Sequence, residues 1–425
     1  MGVRFHYGWL VGAVLFLGFV LTVGVTQYAF GVFVTELEDD LGWSRAAING
    51  SLSTFAVAGL VAPLVGWGVD RAGSRPVMVL SLLAMAVSQL LRPWMTEVWQ
   101  LYALSLLQFA GLPGLVMIPV GKLVAAWFEG ARGRAMGLTS MGANVGGVFF
   151  SSLSAVLIGG IGWRASYFLF GVLFLVLVPV VMVVIRDAPP ERAAGASGRD
   201  GRRRVPALLS GLTTAEALRS RAFYLVVVGL FFAQLTYLSV LTQIVPHLEG
   251  VGVSRGEAAA ALSLLALFGA IGKVSFGWLT EKVPARYVVV LSLACQVVGI
   301  AILVAAGSSR AFWAFAPIFG LGFGALGALM PLLVQDTFGL RAFGTIFGLV
   351  NFFTLGAALV GPPLVGASFD ASGSYAPAFV TVAVLFVLAA VIIAWARPPP
   401  GWLEAPPDAP GAGALRPAVV EAAER

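Results

Sequence analysis

The sequence predicts an all-α membrane protein whose twelve transmembrane helices form two six-helix halves that repeat in parallel. Three observations predict this fold class: the composition, a series of long apolar runs, and a short charged phrase that occurs twice. The chain is 59% hydrophobic and only 11% charged over 425 residues, whereas soluble domains carry about 25% charged residues. Because a bilayer core needs about 20 apolar residues per crossing helix, this composition requires many crossings.

Apolar runs of spanning length define the twelve predicted helices, which are called spans 1 to 12 below. Some of them exceed the thickness of a bilayer, which favours tilted helices or protruding ends. The first run follows MGVRFHYGW without an A-x-A-like cleavage site, so we expect a retained helix rather than a signal peptide. The runs cover residues 8–33, 45–68, 76–93, 98–127, 134–160, 163–185, 221–246, 256–280, 286–306, 310–335, 342–366 and 375–396.

The distribution of basic residues predicts that both termini face the cytoplasm of an inner membrane. With the N-terminus inside, the inner segments hold 19 of the 26 Lys and Arg residues, and such an excess marks cytoplasmic loops. This topology accounts for the pI near 9.8, so we expect a lipid bilayer and no nucleic acid as partner. The five basic residues of the outer segments are Arg45, Arg92, Arg164, Arg255 and Arg310.

Polar stretches predict the domain boundaries. Residues 187–219 are Arg-rich and poor in apolar side chains, which is typical of a flexible linker. This linker would join an N-terminal half, residues 1–186, to a C-terminal half, residues 220–397. Residues 398–425 are predicted to form a disordered cytoplasmic tail. The single cysteine, Cys295, leaves no disulfide framework or Cys-based metal site, and we expect neither a metal nor a cofactor.

A short charged phrase occurs twice at one offset. GWGVDRAGSRP begins at Gly66, and GWLTEKVPARY begins 211 residues later at Gly277. Both copies fall in the tight turn that follows an even-numbered span, so the two halves run in the same direction, as in parallel-repeat transporters. The paired positions are Gly66/Gly277, Trp67/Trp278, Asp70/Glu281, Arg71/Lys282 and Arg75/Arg286.

The first copy resembles the loop 2–3 motif of the major facilitator superfamily, G-x-x-x-D-[RK]-x-G-[RK]-[RK]. Ser74 replaces one basic position of that motif, and Pro284 replaces the glycine in the second copy. Three further stretches, HYGWLVGAVLFLGF, FGVFVTELEDDLGWSRAAINGSLSTFAVAGLVAPLVGWGVDRAGSRPVM and WFEGARGRAMGL, resemble the bacterial monocarboxylate and oxalate/formate transporter branch. The resemblance implies the major facilitator fold and a transporter rather than an enzyme.

The same resemblance implies that the loop carboxylates act as gate latches. Asp70 would contact the start of span 11, and Glu281 would contact the start of span 5 near Arg132 and Arg134. A carboxylate is favoured at such a place by the exposed amides and the dipole of a helix N-terminus. The alternative is loop charge that serves membrane topology alone.

Two lysines, Lys122 in span 4 and Lys273 in span 8, are the charged residues that remain once those of the loops and the span ends are set aside. No acidic residue remains in the membrane interior in this way, so we expect no interior carboxylate to balance the two lysines. An unpaired charge at the helix centre costs about 2.5–3.5 kcal/mol on insertion scales. An external anion would be the natural partner, although Lys122 could instead extend its ammonium group to the headgroups. In the resembled transporters a cation at the place of Lys273 binds the substrate carboxylate.

A carboxylate site also needs a few neutral hydrogen-bond donors. Spans 1 and 7 line the cavity by family resemblance, and spans 5 and 11 gate it. The alternative function for such side chains is hydrogen bonding between helices. The polar candidates in these four spans are Gln27, Tyr28, Asn144, Tyr237, Gln243 and Asn351.

These features predict a secondary active transporter that moves a small monocarboxylate or dicarboxylate across the cytoplasmic membrane by alternating access. Its energy would come from a proton gradient or from anion exchange, and we expect a functional monomer. One rival function is export of amphipathic drugs by the same fold, and another is a membrane sensor that binds ligand without transporting it. The sequence has no Walker-type phosphate loop, which disfavours ATP drive.

Overall fold

The computed structural model describes residues 7–128, 130–187, 211–250, 255–305, 309–372 and 376–399, and these residues are almost entirely helical. Within these ranges, the side chains of residues 236–262 and 305–312 and most of those in 358–376 lie outside the description. The described residues contain no β-sheet, and their one isolated bridge joins Gly211 to Gly339. The predicted all-α fold class is therefore confirmed.

Spans 1 to 4 are each assembled from consecutive helical segments. Span 1 has a π-helical turn in its interior, with the Ala29 amide donating to the Gly24 carbonyl at 2.9 Å. Span 4 is interrupted before Pro113 and Pro119, where proline cannot donate a backbone hydrogen bond. The segments are Tyr7–Val23, Gly24–Tyr28 (π) and Phe30–Leu41; Arg45–Gly50, Ser51–Phe55 (3-10) and Ala56–Ala72; Ser74–Leu91 and Arg92–Trp94 (3-10); and Val98–Gly111, Pro113–Val116 and Ile118–Trp127.

Spans 5 and 6 form one continuous run, Arg132–Val184. At Gly162 the backbone has φ 78° and ψ 164°, outside the helical region. Residues other than glycine rarely adopt this positive φ. A single glycine therefore permits the break in the helix between the two spans. The remaining spans, 7 to 12, are Arg221–Gly250, Arg255–Leu279, Ala285–Ala305, Ser309–Phe338, Phe343–Ser372 and Ala376–Ala394.

Among the described residues, 8 helices are long and apolar enough to cross a membrane, and Arg132–Val184 supplies two of the predicted spans. Three shorter apolar helices, Arg221–Leu235, Ser263–Leu279 and Phe343–Ala357, belong to spans 7, 8 and 11. All twelve predicted spans therefore have a helical counterpart.

The chain divides into two compact units. The first comprises Met1–Glu129, Leu138–Ala194 and Phe347–Phe352, and the second comprises Gly130–Gly137, Gly195–Ile346 and Phe353–Arg425. Each unit therefore includes a short segment from the other half of the sequence, namely the start of span 5 or part of span 11. The predicted boundaries at residues 186, 219 and 397 stay predictions.

The expectation that residues 187–219 are flexible throughout is wrong for their last part. Thr214–Arg219 forms a helix that begins with a capping box between Thr213 and Glu216. The backbone amide of Thr213 donates to Glu216 and lowers the pKa of that carboxyl group. The preceding Leu212 amide donates to the Phe338 carbonyl at 2.9 Å, which attaches this segment to the end of span 10.

Candidate functional site

Two glycines bring the start of span 5 against the backbone of span 8 in the second unit. A Cβ atom added at Gly133 would collide with the Gly277 carbonyl, and one added at Gly137 would collide with the Lys273 carbonyl. Gly277 faces back in the same way, since its own Cβ would collide with the Gly133 carbonyl. The two helices can approach this closely only because small residues occupy the interface.

An ion pair lies at the end of this interface. Glu281 Oε1 accepts hydrogen bonds from the Arg134 backbone amide at 3.0 Å and from Arg134 Nε at 3.1 Å, and its Oε2 lies 2.9 Å from the same Nε. The Glu281 side chain is 12% exposed and that of Arg134 is 54% exposed. This is the contact expected for Glu281 at the start of span 5, whereas its gating function stays a prediction.

A matching contact in the first unit joins span 11 to span 2. A Cβ added at Gly348 would collide with the Ala62 carbonyl and lie 2.9 Å from Pro63 Cα. Gly348 stands 211 residues after Gly137, and Lys273 stands 211 residues after Ala62. The offset of the repeated phrase therefore also relates these two backbone contacts.

The expectation that Lys122 has no carboxylate partner is wrong. Its Nζ donates to the Val69 carbonyl at 2.7 Å and lies 3.5 Å from Asp70 Oδ1. Both side chains are mostly buried, with 16% and 14% exposed. The lysine stem is long enough to reach the end of span 2, so Lys122 contacts the loop 2–3 motif, and its function as a substrate ligand stays a prediction. The contact predicted between Asp70 and span 11 stays a prediction.

The rest of the loop 2–3 motif is bound to the end of span 6. Arg75 Nε donates to the Ile185 carbonyl at 2.7 Å, and the Ser74 amide donates to Asp187 Oδ1 at 2.7 Å. Gly73 has φ 95° and lies against the Asp187 carboxylate, so both its conformation and its lack of a side chain are needed there. Arg71 stacks on Trp67, 5.1 Å from the ring centroid.

Asp187→Ala is expected to destabilise the protein by about 1 kcal/mol, because it removes the carboxylate that caps the first turn of span 3. Thermal unfolding of the purified protein in detergent measures this loss. Asp187→Asn is the matched control and should retain most of the stability, since the amide oxygen can accept the same hydrogen bond. Equal unfolding midpoints for Asp187→Ala and wild type would contradict the capping function.

The second copy of the repeated phrase is bound by an aspartate from a different part of the chain than the first. The Ala285 amide, at the position equivalent to Ser74, donates to Asp336 Oδ2 at 3.0 Å. The sequence placed Asp336 in a loop, which is wrong, because this residue lies inside the helix Ser309–Phe338. Lys282 Nζ lies 4.0 Å from the Trp278 ring centroid, and Arg286 stacks on Tyr287. Arg132 and Arg286 both lie in electrostatic range of Asp336.

Lys273 lies in span 8, which packs closely against span 10 in the second unit. Span 8 meets span 10 through glycines, and Cβ atoms added at Gly272 or Gly324 would collide with the opposite backbone. A Cβ added at Gly327 would lie 3.8 Å from Lys273 Cε, so a larger residue there would compete with the lysine side chain for space. Lys273 is half-buried.

The polar candidates are only partly described. Gln27 and Tyr28 end the π turn of span 1, and Tyr28 is 49% exposed with its ring against Gly147 of span 5. Asn144 is half-buried, and Asn351 Nδ2 donates to the Phe347 carbonyl of its own helix at 2.8 Å. The side chains of Tyr237 and Gln243 lie outside the described residues.

Arg92, which the sequence analysis counts with the basic residues of the outer segments, is not an exposed charge. Arg92 starts the 3-10 turn that ends span 3, and its side chain is fully buried within the first unit. One feature of the sequence could have indicated that Arg92 is buried: Gln89 stands one helical turn before it in a mostly apolar run.

Comparison with known proteins identifies relatives along the whole chain. The family model described as Major Facilitator Superfamily matches residues 14–362 and, in a second match, residues 249–421. A protein named MFS-type transporter from Gibberella moniliformis is 28% identical over 372 residues, covering 86% of this chain and 84% of that protein. Monocarboxylate transporter 2 of Rattus norvegicus is 26% identical over 391 residues, covering 87% and 78%. The crystal structure of the E. coli fucose:proton symporter FucP superposes with TM-score 0.69 at 14% identity, covering 93% of this chain and 100% of that one.

Proposed function

The chain belongs to the Major Facilitator Superfamily and is a transporter rather than an enzyme, and from this premise we propose that it moves a small organic anion by alternating access. The proposed cargo is a monocarboxylate or dicarboxylate, carried across the cytoplasmic membrane with protons or in exchange for another anion. Both termini are proposed to face the cytoplasm.

The observation that carries this proposal is a lysine in the middle of a membrane-spanning helix. Lys273 is half-buried, lies in span 8 and extends its side chain beside Gly327 of span 10. Ionisable residues inside membrane spans are costly and mark substrate or ion pathways. An ammonium group is a point charge with three donors, which suits one carboxylate. The name of the related rat protein, a monocarboxylate transporter, supports the same class of cargo.

The glycine contacts support the alternating-access part of the proposal. The start of span 5 meets span 8, and span 11 meets span 2, through closely approaching backbone atoms at glycine positions. The Glu281–Arg134 ion pair would stabilise the contact between spans 5 and 8. Asp70 would have the equivalent function in the other half. In this proposal, the contacts break when the cytoplasmic side opens.

Uptake into proteoliposomes tests the proposed function directly. The assay compares labelled lactate, pyruvate, oxalate, formate and an uncharged sugar, with and without an imposed proton gradient. We expect saturable uptake of at least one carboxylate and none of the sugar. Stimulation by the proton gradient would indicate symport, whereas stimulation by a carboxylate inside the vesicles would indicate exchange. Transport of an amphipathic drug in place of every carboxylate would contradict the proposal and favour the exporter.

Tyr28→Phe is expected to raise the KM for the carboxylate several-fold with little change in the maximal rate, since it removes one hydroxyl donor and keeps the ring against Gly147. Tyr224→Phe is the matched control, because Tyr224 is exposed on span 7 and has no proposed contact with substrate. A KM that is unchanged by Tyr28→Phe would remove Tyr28 from the site.

A further inference from the structure

A fully buried arginine lies inside the first unit, apart from the proposed transport site. Arg92 is 2% exposed and is one of the largest fully buried side chains among the described residues. It stands at the end of span 3, where the 3-10 turn Arg92–Trp94 follows the main helix. A guanidinium group cannot lose its proton in a protein, so Arg92 carries its positive charge into this interior.

The groups that contact Arg92 are all neutral. Its Nη2 donates to Ser105 Oγ at 3.2 Å and to Gln108 Oε1 at 3.0 Å. Its Cζ lies 5.0 Å from the ring centroid of Tyr167. Gln108 Oε1 also accepts from Gln89 Nε2 at 2.7 Å, so this oxygen is already shared.

No described carboxylate pairs with Arg92. The carboxylate of Asp40 pairs with a different arginine, since its Oδ2 accepts from Arg164 Nη1 at 2.6 Å and from Trp163 Nε1 at 3.1 Å. Arg164 in turn donates to the carbonyl of Pro93, which follows Arg92 in the chain. The exposed Arg164 therefore pairs with Asp40, whereas the buried Arg92 pairs with no described carboxylate.

Two buried donors of this cluster meet no acceptor among the described residues. They are Arg92 Nε and the Tyr167 hydroxyl, whose oxygen can only accept from the neighbouring Arg92 guanidinium, and Gln89 Oε1 is also without a donor. A buried polar atom without a partner destabilises the fold, and more so when it is charged. An unpaired buried charge is destabilising for the same reason. The cluster therefore has both an uncompensated charge and donors available to a ligand.

We propose that Arg92 and Tyr167 bind a small monovalent inorganic anion, of which chloride is the type, within the first unit. The anion would accept from Arg92 Nε and from the Tyr167 hydroxyl and would supply the negative charge that the described residues do not place there. Its function is to stabilise the helices that meet at Arg92, separately from any carboxylate that is transported.

Thermal unfolding of the full chain in detergent tests the site, with sodium chloride replaced by sodium methanesulfonate at equal ionic strength. We expect chloride to raise the unfolding midpoint of the wild type by about 2 °C or more. Tyr167→Phe and Arg92→Gln should each lose most of this difference. Arg164→Gln, at the neighbouring exposed arginine, should keep it, and so should Lys273→Ala, which separates this site from the proposed transport site.

The result that overturns the proposal is a wild-type midpoint that is the same in both salts, or a chloride difference retained in Tyr167→Phe. The Tyr167→Phe variant decides the question if Arg92→Gln does not fold, because it removes one oxygen and keeps the ring. Crystals grown in sodium bromide give an independent measurement. An anomalous peak at Arg92 Nε is expected, and an ordered water there without anomalous signal would also overturn the proposal.

Discussion

Lys273→Ala is expected to lower carboxylate uptake by roughly 10–100-fold, because a hydrogen bond to a charged group contributes about 1.5–3 kcal/mol. The loss should appear in substrate affinity, measured by the KM for uptake and by substrate-dependent stabilisation of the purified protein. Lys273→Arg should recover part of the activity, since it restores the charge with a bulkier head beside Gly327.

Lys282→Ala is the matched control for Lys273→Ala. Lys282 carries the same charge nine residues further along but stacks on Trp278 in the turn after span 8, so its removal should leave the KM unchanged. Unchanged uptake by Lys273→Ala, with a folded protein, would remove the lysine from the site and with it the main support for an anionic substrate.

Gly137→Ala is expected to reduce transport at least 10-fold, because the added methyl group would collide with the Lys273 carbonyl. Spans 5 and 8 would then have to move apart where Glu281 binds Arg134, and the conformation described here would be disfavoured. The measurement is the initial rate of uptake at equal protein content in proteoliposomes. The Glu281–Arg134 contact should weaken in the same variant, so Glu281→Gln should have less additional effect there than in the wild type.

Gly159→Ala provides the control, since Gly159 lies on the same span and a Cβ added there meets nothing within 4 Å. It should transport at the wild-type rate and unfold at the wild-type temperature. Equal rates for Gly137→Ala and Gly159→Ala would show that the close approach of spans 5 and 8 is not needed during the transport cycle.

The fold was predictable because its main determinants are local in the sequence. Apolar runs of about 20 residues specify crossing helices whatever their neighbours are, and the repeat at Gly66 and Gly277 shows how the two halves are related. The resemblance of this repeat to the loop 2–3 motif implied the contact of Glu281 with the start of span 5, where exposed helix amides favour a carboxylate.

The surroundings of the charged residues were harder to predict, because their partners depend on the length of the side chain and on where each helix ends. Lys122 reaches the end of span 2 through its long stem, which the position of its Cα does not show. Span 10 continues through Asp336, which was assigned to a loop, and span 3 ends with Arg92 buried, which was counted with the outer-segment charges. The π turn Gly24–Tyr28 has no distinct sequence pattern, and only the backbone hydrogen bonds reveal it.

The two turns that carry the repeated phrase are held by different parts of the chain. Asp336 of span 10 holds the start of span 9, whereas Asp187, just past the last turn of span 6, holds the start of span 3. Mechanical tension applied to the connecting segment at Asp187 would therefore be transmitted to the first turn of span 3. Tension applied at Leu212, at the other end of the same connection, would instead be transmitted to the end of span 10.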